Sequence, residues 1–294
     1  MEREQLPFDV VAAAGHILAE SGVWCARTQR LWWVDIRAPQ VKRWDSGSGA
    51  ISAWTMPELA GAVVLVDDGR VAVALQGSIH LLDPNDGSLT TVLTLEHGMP
   101  HNRLNEAKCD LQGRLWCGSM WDFGAQAAGS LYRIDRDLRA TRVRADVTIP
   151  NGIAFSPEGR QMYFVDTPKG TIEVASYDTG SGQPGSWSTL VEAGLAPGKP
   201  DGSTVDSDGC IWNARYGAGC VARFRPNGEL DRLIALPVTQ PTSCTFGGAG
   251  LDTLFITSAA QRMDAAALAA EPLAGAVLAL RPGARGLPET AFTG

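Results

Sequence analysis

The sequence predicts an all-β fold: a six-bladed β-propeller of four-stranded antiparallel blades around a central channel, with residues 1–294 as one domain. Three observations carry that expectation. Glycine and proline are in excess, a phrase of aromatic and β-branched residues returns at near-constant spacing, and a second alternating phrase follows each copy. The 33 glycines and 17 prolines make about 17% of the 294 residues, against about 12% in an average chain. That excess is turn chemistry and falls short of the ~25–30% of a low-complexity chain. A hydrophobic fraction of 45% is ample for a core.

The first phrase runs Leu31-Trp32-Trp33-Val34-Asp35 and returns, weakened, as Asp68-Gly69-Arg70-Val71-Ala72-Val73. It follows as Gly113-Arg114-Leu115-Trp116-Cys117 and as Gln161-Met162-Tyr163-Phe164-Val165-Asp166. The last copies are Asp208-Gly209-Cys210-Ile211-Trp212-Asn213 and Leu251-Asp252-Thr253-Leu254-Phe255-Ile256. Aligned on positions 32, 72, 116, 163, 212 and 255, the spacings are 40, 44, 47, 49 and 43.

The second phrase begins as Val41-Lys42-Arg43-Trp44-Asp45 and recurs at 79–83, 131–135, 172–178, 221–225 and 277–280. Turn residues such as Asn85-Asp86-Gly87 and Asn227-Gly228 end it. Each repeat thus supplies an inner, a central, a third and an outer strand, the content of a propeller blade. So small a sheet buries its faces only against neighbours, and radial closure leaves only short edges exposed. Phe8 to Val11 and His16 to Leu18 are expected to complete the last blade and close the ring. One helical stretch, capped by Asp264 and ended by Pro272, is expected as an insertion in that blade.

The formal charge is −7 and the pI about 5.1. An acidic surface repels phosphate backbones and anionic lipid, so neither nucleic acid nor membrane is an expected partner. A small-molecule ligand is compatible, as is a monomer or a dimer. Met1-Glu2-Arg3-Glu4 lacks the basic start and apolar stretch of a secretory signal, and the expectation is a cytoplasmic protein with six reduced, buried cysteines. There is no C-x-x-C pair, no H-E-x-x-H, no G-x-S-x-G and no P-loop.

Inner strands line the channel, so equivalent residues at their starts converge on one mouth. Eleven or twelve positions before the aligned core residues stand Glu20, Gly61, Asn105, Asn151, Asp201 and Ser243. Two carboxylates and two carboxamides, with no lysine in the ring, are hard-cation chemistry. Calcium suits by charge and oxygen count; magnesium, manganese, zinc and iron(II) stay open. Asn151-Gly152 and Asp201-Gly202 are also ordinary turn dipeptides, and the shared register is what favours a site. Asp201 can act as ligand and as general base toward water. Arg103 offers a donor fork to hydroxyl and carboxyl oxygens, or else a blade-to-blade salt bridge. Trp121-Asp122-Phe123-Gly124 reads as an aromatic lid or as a packed top loop.

Asn102-Arg103-Leu104-Asn105-Glu106-Ala107-Lys108-Cys109-Asp110, with Gly113-Arg114-Leu115-Trp116-Cys117-Gly118-Ser119-Met120, resembles the N-R-x-N-D-G-K-x-D…G-R-x-W-x-G-T-M signature of the SMP-30/gluconolactonase/luciferin-regenerating family. Asn151-Gly152-Ile153-Ala154-Phe155-Ser156-Pro157 and the phrase from Pro200-Asp201-Gly202 to Trp212 resemble further family motifs, and the likeness runs nearly end to end. It implies a propeller that hydrolyses sugar lactones. It further implies that Glu20, Asn151 and Asp201 hold a divalent metal, that Asp201 is the catalytic base, and that Arg103, Asn105 and Glu106 contact substrate. Ala19-Glu20-Ser21-Gly22 lacks the family's proline, and Asn105-Glu106-Ala107-Lys108 has a longer acid and lacks a glycine; both departures bear on substrate preference.

The expected reaction is metal-dependent hydrolysis of an aldonolactone to the free acid. Asp201 takes a proton from the attacking water while Arg103 and Asn105 orient the sugar hydroxyls. The competing classes are a non-catalytic calcium-binding or interaction propeller and a hydrolase of another ester or lactone.

Overall fold

A computed structural model describes residues 2–294. Its strands form six antiparallel sheets, and the expected fold class and blade count are what it shows. Blade one is, from the channel outward, Ala19–Cys25, Arg30–Asp35, Gln40–Asp45 and Ile51–Thr55. Blade two is Ala62–Leu65, Val71–Ala74, Ser78–Leu82 and Leu89–Thr94. Blade three is Asn102–Cys109, Leu115–Trp121, Gly129–Ile134 and Ala140–Val147. Blade four is Pro150–Phe155, Gln161–Asp166 and Ile172–Asp178, with its outer edge split into Gln183–Pro184 and Ser188–Val191. Blade five is Lys199–Val205, Ile211–Tyr216, Cys220–Phe224 and Leu230–Ala235.

Blade six takes Pro241–Gly247, Thr253–Ser258 and Val277–Leu280 from the end of the chain and Phe8–Ala12 from its start. Phe8 pairs with Leu280 and Val10 with Leu278, so the ring is fastened by strand pairing, as the sequence suggested. His16 to Leu18 departs from that expectation. These residues cross toward blade one, and Leu18 makes a single bridge to Ala259. The reason is chemical: His16 Nδ1 lies 2.6 Å from Gly275 O, and the Ile17 and Leu18 amides donate to Asp35. The helix is Ala265–Ala270, with Asp264 accepting from the Ala267 amide.

The six aligned core residues all lie on central strands and all are buried. Apolar clusters form between blades rather than within them. Val34 and Val41 of blade one meet Val63, Val73 and Leu82 of blade two, and Trp24 of blade one stacks on Phe255 of blade six with ring centroids 5.4 Å apart. Each such side chain contributes about 1.5–3 kcal/mol by leaving water, and only a closed ring lets every blade do this on both faces. All six cysteines are free and buried. Among the described residues no helix is long and apolar enough to cross a membrane.

The C-terminal residues run across the face opposite the mouth. Gly286 bridges to Asp206 and Phe292 to Val66, and the Phe292 ring is fully buried. Between them Glu289 accepts from Lys108 Nζ at 2.6 Å at the channel's end.

Candidate active site

The side chains at the mouth are aimed by breaks in the strand register. The pairing of inner with central strand shifts between Glu20 and Val23, Leu104 and Ala107, Asn151 and Ala154, Pro200 and Ser203, and Pro241 and Ser243. A bulge re-aims the residue it holds, here toward the channel axis. Ser21 at φ 55 and Gly152 at φ 60 supply the left-handed backbone directly after Glu20 and Asn151. Blade two pairs regularly and contributes Gly61, where a Cβ would stand 2.1 Å from Leu104 O.

Glu20, Arg103, Asn105, Asn151 and Asp201 line one cavity of about 150 Å³ at the mouth, so the ring drawn from the register is brought together. Ser243 is not part of it. In blade six the core residue Phe255 pairs with Thr245, two positions after Ser243, whereas in the other blades the interval is three, as from Asp201 to Thr204. That slip places Thr242 at the bulge, where its hydroxyl donates to Ala19 O at 2.6 Å, just before Glu20. Glu106 also lies off the mouth. It lines the narrow channel behind, and its carboxylate accepts from the Ile153 amide at 3.2 Å.

A directed chain of hydrogen bonds fixes the amides. Arg103 Nε donates to Asp122 Oδ1 at 2.5 Å and Nη1 to Asn105 Oδ1 at 2.5 Å. Asn105 Nδ2 donates to Pro150 O at 2.8 Å and to Asn151 Oδ1 at 3.0 Å. Asn151 Nδ2 then donates to Thr167 Oγ1 at 2.9 Å, and that hydroxyl donates to Pro200 O at 2.9 Å, next to Asp201. An arginine is a donor only, so it sets the sense of every amide after it. Both Asn105 donors are engaged, while Arg103 Nη2 has no partner among the described residues and can face the cavity. The Arg103 salt bridge lies within blade three, not between blades; Arg37 of blade one is what reaches across, bidentate to Asp122 at 2.8 Å.

The electrostatics are lopsided. Burial pushes the Glu20 carboxyl up to about 7, against the pull of the Ser21 amide and Arg103. Burial raises Asp201 well above the carboxylate range, and the Glu20 and Glu106 charges add to it. Glu106 is raised by burial and by Glu20. Asp122 is the exception: burial works against its charge, but Arg37 and Arg103 outweigh it and hold the carboxyl low. Asp201 Oδ1 is buried with no hydrogen-bond partner among the described residues. An orphaned carboxylate oxygen, a second carboxylate and an amide oxygen are the donors a hard cation takes. Among the described residues no three His, Cys, Asp or Glu side chains form such a group, so a cation here would need the amide oxygen of Asn151 as well.

Four features of the mouth were not anticipated. Thr167 closes the hydrogen-bond chain, and the strand end Val165-Asp166-Thr167-Pro168 carries no signal of that role. Asp122, read as part of a lid, is the buried anchor of Arg103, while Phe123 is 82% exposed with Arg37 5.7 Å from its ring. Lys199 and Arg262 stand at the rim, so lysine is present near the ring after all.

A six-bladed propeller with an acid and amide ring at one mouth is the class that fold and site define. The profile of the SMP-30/Gluconolactonase/LRE-like region matches residues 18–260, and the chain belongs to that family. It is 38% identical to the 6-deoxy-6-sulfogluconolactonase of Pseudomonas putida over 95% of this chain and 96% of the relative. It is 35% identical to the L-arabinolactonase of Azospirillum brasilense, over 97% and 95%. The crystal structure of regucalcin from Agrobacterium tumefaciens, described as a calcium-binding protein, superposes with a TM-score of 0.94 at 29% identity, covering 98% of each chain.

Proposed function

We propose that the protein hydrolyses the lactone of a sugar acid at this mouth. The observation that carries the reading is the juxtaposition of Asp201, with its raised proton affinity and orphaned oxygen, and the Arg103 fork held by Asp122. Relatives named for gluconolactone and arabinolactone hydrolysis support it. Glu20, Asn151 and Asp201 would hold one divalent cation, with calcium favoured by the oxygen donors. When bound, such an ion polarises a carbonyl and acidifies water.

The chain's own part is as follows. Arg103 Nη2 donates to oxygens of the sugar, and Asn105 holds Asn151 in place rather than reaching substrate with its own N–H groups. Asp201 accepts a proton from water as the water oxygen bonds to the lactone carbonyl carbon. The ring C–O bond then breaks, and the ring oxygen leaves with the proton that Asp201 returns. Asp201 is the group that holds the proton between those two steps.

A pH-stat panel of pentonolactones and hexonolactones, run with and without chelator, tests this. Turnover that falls at least about a hundredfold in Asp201→Asn is expected. No hydrolysis of any lactone by the wild type, with calcium binding retained, would instead favour a calcium-binding module, the reading suggested by the regucalcin relative.

A further inference from the structure

The mouth carries more positive charge than its own anions use. Arg37 and Arg103 are both committed to Asp122. Lys199 and Arg262 line the same cavity, yet among the described residues neither makes an ion pair or a side-chain hydrogen bond. Two carboxylates, Glu20 and Asp201, share the cavity with them and still do not pair with them. Both cations are exposed and stand on the rim of the cavity that Tyr216 and Gln261 also line.

Their placement is specific. Lys199 opens the inner strand of blade five, two residues before Asp201. Arg262 follows the central strand of blade six and adopts φ 62, a left-handed backbone that a long side chain rarely takes. In a chain of net charge −7, two exposed, unpaired cations over the cavity that holds the acidic ring would steer an anion inward.

We propose that Lys199 and Arg262 bind a second anionic group of the substrate, an oxyanion at the end of the carbon chain remote from the reacting carbonyl. A sulfonate, a phosphate and a carboxylate share that chemistry. The word substrate rests on the lactonase reading; the binding site itself does not, so the test reads binding directly.

Calorimetric titration of the full chain with gluconate, 6-phosphogluconate and glucarate, at one ionic strength, separates a plain tail from a phosphate or carboxylate tail. The expected result is that an anionic-tailed ligand binds at least about tenfold tighter than gluconate, roughly one charge-assisted contact. In the double variant K199Q/R262Q that ratio falls to within about twofold, with the melting temperature confirming a folded protein. Equal affinities in the wild type, no binding of any of the three, or a ratio unmoved in the double variant would overturn the proposal. Turnover is assayed separately with gluconolactone and 6-phosphogluconolactone. Hydrolysis of neither these nor any member of the pentonolactone and hexonolactone panel overturns the lactonase reading, while the binding ratio still decides the role of the rim.

Discussion

Asn105 Nδ2 donates to Asn151 Oδ1 at 3.0 Å, and this bond ties the innermost strand of blade three to that of blade four at the channel mouth. Its direction follows from Arg103 upstream, and its consequence lies downstream at Thr167. The oxygen of Asn151 points where the proposed cation would need a ligand only while its nitrogen has an acceptor. Thr167 is that acceptor, and it also holds Pro200 O beside Asp201.

Thr167→Val should therefore act on two candidate ligands at once. It leaves a buried amide and a buried carbonyl without partners, at about 1–3 kcal/mol of stability. A positioning role predicts more than instability: kcat/KM should fall about tenfold or more and the affinity for a divalent ion should weaken, with Thr167→Ser restoring both. Urea unfolding, steady-state kinetics and calcium titration read the three effects. Lost stability with unchanged ion affinity would reduce Thr167 to a structural contact.

The pair Glu20 and Asp201 predicts how an ion changes stability. Both carboxyls are raised by burial, so the ion-free fold carries groups that resist ionising at neutral pH. A ligand that binds only the folded state stabilises it by about 2.7 kcal/mol at a hundred times its Kd. Calcium added to chelated protein should raise the Tm by several degrees, and the rise should vanish in E20Q/D201N. That double variant should melt above the ion-free wild type, because amides replace poorly solvated carboxylates. A calcium response that persists in it would place the ion elsewhere.

Much of this was legible in the sequence because it depends on period. Six copies at about 45 residues imply inner strands on one axis, and the register alone named Glu20, Asn105, Asn151 and Asp201. Ser243 failed because blade six pairs one residue out of step, and a one-residue slip turns a side chain to the other face. Asp122, Thr167, Lys199 and Arg262 failed for a different reason. They stand on strand ends and loops, where no repeat fixes a position and only the closed ring brings them to the mouth. Glu106 shares the family phrase with Asn105 but is carried into the channel behind, since adjacent residues at a bulge do not face alike.

Gly61 occupies the one ring position with no side chain, and close approach explains it. Leu104 O and Asn105 O would lie 2.1 and 2.9 Å from a Cβ placed there, and both are backbone atoms of the strand that carries Asn105. Gly61→Ala must push blade three away from blade two. The overpacking cost is expected at the upper end of about 1–3 kcal/mol, together with reduced kcat/KM because Asn105 and Arg103 move with their strand. A variant with wild-type stability and turnover would show that the interface yields without disturbing the mouth.

His16 makes the stability depend on pH, with stability rising as pH rises. Trp33 Nε1 donates to His16 Nε2 at 3.1 Å, so that nitrogen has no hydrogen, and Nδ1 carries one toward Gly275 O at 2.6 Å. The ring is thus held neutral, and burial, helped by the Lys42 charge, keeps its pKa below the ordinary 6.5. The unfolded chain takes up the proton near pH 6.5 and the folded chain only at lower pH. Between the two the unfolded state binds more protons, so stability rises with pH there. The contribution is complete above about pH 6.5 and is lost as the pH falls toward the folded value. Urea midpoints measured at several pH values from 7.5 down to 5.5 should decline in the wild type and decline less steeply in His16→Gln. Parallel slopes in the two proteins would mean that His16 titrates alike in both states and that its buried contacts do not favour the neutral ring.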